Sequence, residues 1–128
     1  MNDTAIFQGK QVLVVDDEQG YLDMYVYVLE PLGIKVTCAR NGEEAVEKIK
    51  EKAYDLMFMD VHMPKMDGHE AFKRIKAFRP EQKIVIFSSS SDPNLVREQQ
   101  VLDAGAVECL FKPMGIDEIE RILKKVFH

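Results

Sequence analysis

The 128-residue chain has no long apolar run: the longest unbroken stretches, such as Leu56 to Met59 and Ile84 to Phe87, fall far short of the roughly 20 residues that cross a bilayer. No transmembrane helix and no membrane partner are expected. The start, Met1-Asn2-Asp3-Thr4, lacks a basic region followed by an apolar stretch and a small-residue cleavage site, so no secretory signal is expected and the cytoplasm is the expected compartment. Cysteine is scarce. Cys38 and Cys109 have no CxxC spacing and cannot form a disulfide framework, so both are expected reduced, as small apolar fillers. Basic residues are outnumbered, 17 against 22 acidic ones, giving a net charge of −5 and arguing against direct nucleic-acid binding. There is also no Ser/Gly/Pro linker, low-complexity tract or internal repeat, and the length suits one domain over residues 1–128.

What is present is an average globular composition, 46% hydrophobic and 30% charged, arranged as five short apolar runs that alternate with helical stripes. The runs Val12–Val15, Ile34–Cys38, Leu56–Met59, Ile84–Phe87 and Val107–Phe111 read as strands, and the unbroken ones as strands buried on both faces. Between the first two, Tyr21, Met24, Tyr25, Val28, Leu29 and Leu32 recur at three- and four-residue spacing, with Gly33 as a helix stop. Comparable stripes are Ala45, Val46 and Ile49; Ala71, Phe72 and Ile75; Leu95, Val96, Val101 and Leu102; and Ile116, Ile119, Ile122, Leu123 and Val126. Asn41-Gly42, Asp67-Gly68 and Asp92-Pro93 place turn and N-cap chemistry just ahead of three of them. Strand-helix alternation with short connections predicts an α/β fold: a doubly wound, five-stranded parallel sheet, order 2-1-3-4-5, with helices on both faces. Ligands of such sheets bind beyond the carboxyl ends of the strands, near the switch between the first and third.

Four strand ends carry chemistry there. The first strand runs into Asp16-Asp17-Glu18, the third ends in Asp60, the fourth in Ser88-Ser89 and the fifth in Lys112-Pro113. Singly these are weak signals, since an acidic pair after a strand is often an N-cap and a Lys-Pro is often a turn. Together they put three carboxylates near one point, where each pair at about 5 Å repels by roughly 3 kcal/mol at an effective dielectric near 20. A divalent cation, a shifted pKa or the Lys112 ammonium must compensate. The oxygen-only donors suit Mg²⁺ better than Zn²⁺, which prefers Cys or His. A pocket balanced by Mg²⁺ and Lys112 can accept a transferring phosphoryl group, with Asp60 as nucleophile.

The sequence resembles the receiver domains of two-component response regulators, from Lys10 to Phe127. The likeness rests on Val12-Leu13-Val14-Val15-Asp16-Asp17, Asn41-Gly42-Glu43-Glu44-Ala45, Met59-Asp60-Val61-His62-Met63-Pro64 with Met66-Asp67-Gly68, and Phe111-Lys112-Pro113. It implies a flavodoxin-like fold, Asp60 as phosphoacceptor, and Mg²⁺ held by Asp16, Asp17, Asp60 and the backbone carbonyl of His62. It also implies that Lys112, the Ser88 hydroxyl and the Ser89 amide contact the phosphoryl group, and that the Lys112-Pro113 peptide is cis. The implied donor is a phosphohistidine on a sensor histidine kinase or histidine phosphotransfer protein. The implied output is altered binding of a downstream effector protein or effector domain. Such a receiver catalyses its own phosphorylation and dephosphorylation and turns over no small-molecule substrate.

One position departs from the family. Three residues before the lysine, similar proteins carry an aromatic side chain whose rotation reshapes the fourth helix, fifth strand and fifth helix, and here that position is Cys109. A thiol cannot fill or vacate a ring's space. The expected output change is therefore carried by the backbone around Ser88 to Asp92, or is small. His62 and Ser90 occupy positions that tune phosphoryl lifetime in similar proteins, although a solvent-facing loop histidine explains His62 as simply. His69 and His128 have no ligand spacing and are expected at the surface. Met57, Met59, Met63 and Met66 read as core or loop packing. The Glu18 to Tyr27 surface is the expected kinase-docking face. Two other functions stay open: an aspartyl-nucleophile phosphohydrolase, whose usual Asp-x-Asp after the first strand is missing here, and a docking module independent of phosphorylation.

Overall fold

Alternating side-chain parity along each apolar run organises the molecule. In the computed structural model, which describes residues 3–61, 68–89 and 100–128, the strands are β1 (Gln11–Val15), β2 (Lys35–Ala39), β3 (Leu56–Asp60), β4 (Ile84–Ser89) and β5 (Glu108–Lys112). They form one parallel sheet in the order β2-β1-β3-β4-β5, as the alternation predicts. The helices are α1 (Gln19–Leu29), α2 (Gly42–Glu51), α3 (Gly68–Phe78), the helical residues 100–103 (α4) and α5 (Ile116–Val126).

Successive residues of each strand face opposite sides of the sheet, and laterally paired residues share a side. Val12, Val14, Leu56, Phe58, Val85 and Phe87 pack with α1 and α5 through Leu22, Tyr25, Val28, Leu29, Ile119, Ile122 and Leu123. Leu13, Val15, Met57, Met59, Ile84 and Ile86 pack on the other side with Ala45, Ile49, Ala71, Phe72, Ile75 and Val101. The first layer is aromatic at its centre: Tyr25 stacks on Phe58 at 5.2 Å and Phe58 on Phe87 at 5.9 Å between ring centroids. Such pairs add about 0.5–1.5 kcal/mol beyond their buried area.

Local signals explain the boundaries. The Asn41 side chain accepts a 2.9 Å bond from the Glu44 amide and caps α2, whose acidic first turn and basic last turn suit the helix dipole. Gly33, at φ 86°, takes the left-handed conformation that ends the first helical stretch. Pro31 alters that stretch: α1 stops at Leu29 and Glu30–Leu32 tighten into a 3-10 turn.

At the amino end of the sheet, buried Gln82 bonds both backbone groups of Tyr54. Its Oε1 accepts from Tyr54 N at 3.0 Å, and its Nε2 donates to Tyr54 O at 2.9 Å and to Lys83 O at 3.1 Å. A side-chain amide thus ties the segment entering β3 to the one entering β4.

The structure corrects several expectations. Cys38 is exposed because β2 is an edge strand with one partner, and its thiol is pushed up in pKa by partial burial and then by the charge of Asp23. Cys109 is half-buried, on the opposite edge of the sheet. Ile116, the first residue of α5, and Leu102 are exposed although both belong to the apolar stripes. His69 is half-buried rather than at the open surface. Strands β2 and β5 lie one residue later than their apolar runs suggest: the Ile34 amide donates back to Leu29 O at the end of α1, and Val107 joins β4 through one bond to Ile84 O. Asp92-Pro93, Leu95, Val96, Met63 and Met66 lie outside the described residues.

Candidate functional site

The ladder continues one bond past β1, with Asp16 N donating to Ala39 O at 3.1 Å, and so delivers the Asp16 side chain to the carboxyl rim. Asp60 is the last residue of β3 and pairs with Phe87, one step before Ser88. Ser88 pairs with Phe111 and Ser89 with Lys112, so β4 and β5 bring their polar ends to the same level. Asp16 (1% exposed), Asp60 (4%) and Ser88 (6%) are buried, whereas Asp17 is exposed. The peptide between Lys112 and Pro113 is cis.

Lys112 ties the rim together. Its Nζ lies 2.7 Å from Asp16 Oδ2 and 3.2 Å from Asp60 Oδ2, while its side chain is only 13% exposed. The other oxygen of Asp16 accepts the Glu18 amide at 3.0 Å. Burial raises the Asp16 pKa, against the lowering effect of Lys112 and the Glu18 amide, and the charge of Asp60 adds to the rise. For Lys112, burial disfavours the ammonium, but the bond to Asp16 and the charges of both carboxylates outweigh it and hold its pKa above the usual value. The buried Tyr25 hydroxyl is pushed well above its ordinary pKa by desolvation and then by Asp16 and Asp60. These groups share one low-dielectric neighbourhood, in which unbalanced charge is costly.

Oxygens of Asp16, Asp17 and Asp60 all lie within 4.8 Å of one another. With one ammonium against three carboxylates, the cluster retains two negative charges. Hard oxygen donors, a partly open side at Asp17 and that residual charge fit a divalent cation such as Mg²⁺.

Two features escape a sequence reading. Tyr21, assigned there to the core stripe, lies half-buried with its ring centroid 4.0 Å from Lys112 Nζ. Its signal was its place at the head of α1, one turn after Asp17. Gly68, read as a turn breaker, is a close-approach position. A Cβ there would stand 2.6 Å from the Asp60 carbonyl oxygen and closer still to Val61 Cα. Its amide donates to Val61 O at 3.0 Å, and Val61 N donates to Phe87 O at 3.0 Å, so α3 begins against the backbone of the acceptor strand. His62 lies outside the described residues, as does Ser90.

Among the described residues no helix is long and apolar enough to cross a membrane. A family model described as the response regulator receiver domain matches residues 12–124. The chemotaxis protein CheY of Thermotoga maritima is 37% identical over 119 residues, covering 92% of this chain and 98% of CheY. The transcriptional regulatory protein ZraR of Klebsiella oxytoca is 36% identical over 119 residues, covering 91% of this chain. Of ZraR's own length the chain spans about a quarter, 26%. Among solved structures, a CheY-like receiver domain from Methanospirillum hungatei superposes with a TM-score of 0.84 at 29% identity, covering 93% of this chain and 94% of that one. The sheet order, the acidic rim and a match running through nearly the whole chain agree: the protein belongs to the response regulator receiver domain family, a family of signalling proteins in two-component systems.

Proposed function

We propose that residues 1–128 act as one receiver domain that takes a phosphoryl group from a phosphohistidine donor onto Asp60. The observation that carries this reading is the buried Asp60 carboxylate, fixed at the end of β3 and bonded by Lys112 at 3.2 Å. An Asp60 oxygen attacks phosphorus, the phosphorus–nitrogen bond of the donor breaks, and the electron pair returns to the imidazole, leaving an acyl phosphate. Lys112 pairs with the gathering charge on the phosphoryl oxygens. The Ser88 hydroxyl and the Ser89 amide donate to the same oxygens.

Asp16, Asp17, Asp60 and the carbonyl of His62 would hold Mg²⁺, which when bound supplies further positive charge to the phosphoryl oxygens. The chain's own residues do the rest: β1 and β3 fix the carboxylates, and the aromatic stack beneath them keeps water from that side. Donors would be a sensor histidine kinase or a histidine phosphotransfer protein, meeting the α1 face near Tyr27, which is 75% exposed. The added negative charge draws Ser88 inward, and with Cys109 in place of a ring the backbone beyond β4 carries the response to a downstream effector. A cytoplasmic setting belongs to the same proposal.

The test is labelling with a small phosphodonor in Mg²⁺, followed by mass spectrometry. The parent should gain one hydroxylamine-labile phosphoryl group on Asp60. Asp60→Asn, or the parent in chelator, should gain none. Label on another residue, or rapid hydrolysis of assorted phosphomonoesters, would overturn the proposal in favour of an aspartyl phosphohydrolase. Effector binding unchanged by labelling would favour a docking module independent of phosphorylation.

A further inference from the structure

We infer that Tyr21 is a positioning residue for Lys112: its ring holds the ammonium at the mouth of the site when both anionic partners of that ammonium are drawn elsewhere. The rate consequence rests on the phosphoacceptor reading above; the contact itself does not.

An ammonium has three N–H donors and no acceptor. On Lys112 two directions are taken by Asp16 Oδ2 and Asp60 Oδ2, and the third partner is the face of Tyr21 at 4.0 Å. That distance is well inside the roughly 6 Å range of a cation–π attraction, and desolvation strengthens the attraction. Lys112 is 13% exposed and Tyr21 is half-buried, so water competes weakly.

The three partners differ in what happens to them during the reaction. Asp16 and Asp60 both belong to the acidic cluster that suits a dication, which when bound would compete with Lys112 for those two carboxylates. Asp60 then loses its anionic oxygen to the new bond with phosphorus. Of the three, the Tyr21 ring is the partner that neither event consumes. A third carboxylate at this place would hold the ammonium too, but it would repel the incoming phosphoryl group. A neutral π face attracts the cation without that repulsion. Its placement is fixed in the first turn of α1, where its amide bonds Glu18 O at 3.1 Å and its side chain packs on the aromatic layer.

Two measurements test this. In proton NMR of the metal-free parent, the Lys112 ε-methylene and ammonium protons should be shifted upfield by the ring, retained in Tyr21→Phe and lost in Tyr21→Leu. Identical Lys112 shifts in Tyr21→Leu would overturn the contact, whether or not Asp60 is ever labelled. The second measurement replaces Tyr21 by phenylalanine and by mono-, di- and trifluorinated phenylalanine, which keep the ring's shape and progressively remove its negative face. The rate of Asp60 labelling should fall stepwise by about threefold to fivefold across the series. Equal rates across that series, with Asp60 still labelled and abolished by Asp60→Asn, would reduce Tyr21 to packing and sink the inference while leaving the phosphoacceptor reading intact.

Discussion

Strand β5 begins with Glu108 and ends with Lys112, and each anchors a charge cluster that looks alike on distance alone. Lys112 Nζ lies 2.7 Å from Asp16, and Arg121 lies 2.7 Å from Glu108. Their surroundings differ. At the edge, one carboxylate meets two cations, Arg121 and Lys125, whose side chains are about half exposed, and these bonds with Arg121 foremost hold the Glu108 pKa below its usual value. At the rim, one cation serves several carboxylates in a buried place, and burial pushes Asp16 the opposite way. The edge cluster is satisfied and screened. The rim cluster is charge-hungry, which makes it suited to a ligand and poor as a brace.

The largest break in this comparison should come from Lys112→Met. Removing the ammonium strands buried carboxylates and should cost about 3–5 kcal/mol in urea unfolding, with Mg²⁺ restoring part of it. An unchanged midpoint would mean that the rim is wet and no different from the edge. Next in size is Gly68→Ala, where the new methyl must push the backbone at Asp60 and Val61; a loss of about 2 kcal/mol is expected, together with slower labelling of Asp60. Full stability in that variant would show that α3 can retreat freely.

Asp60→Asn reverses the sign. It removes one of the crowded charges and should raise stability by about 1 kcal/mol in metal-free buffer while abolishing labelling. The smallest effect belongs to the edge: Glu108→Gln should cost about 0.5–1 kcal/mol and less in molar salt. Because folding lowers the Glu108 pKa, its contribution is complete above the ordinary glutamate value and disappears as pH falls through the lower folded one. The stability difference between parent and Glu108→Gln should therefore vanish on acidification; a difference that grew instead would refute the assignment.

Strand order was legible because apolar runs of four or five residues, alternating with helical stripes, leave few topologies. The rim residues were legible for a related reason: polar side chains directly after buried strands have only the carboxyl ends to occupy. Tyr21 was not, since an aromatic at helical spacing reads as core until its distance from Lys112 is known. Gly68 looked like a turn residue because sequence does not show which backbone lies opposite. Cys38 was misjudged for want of knowing how little a single-partnered edge strand is covered. Buried Gln82 gave no signal, a polar residue in a loop whose main partner, Tyr54, is 28 positions away.

That glutamine has a mechanical consequence. By stitching Tyr54 to the start of β4, it fastens the two central strands where they enter the sheet, like a beam clamped at one end. A clamped beam deflects most at its free tip, and here the tip carries Asp60 and Ser88. A displacement of Asp60 or Ser88 would therefore bend the two strands near that tip and leave their register at the clamped end unchanged.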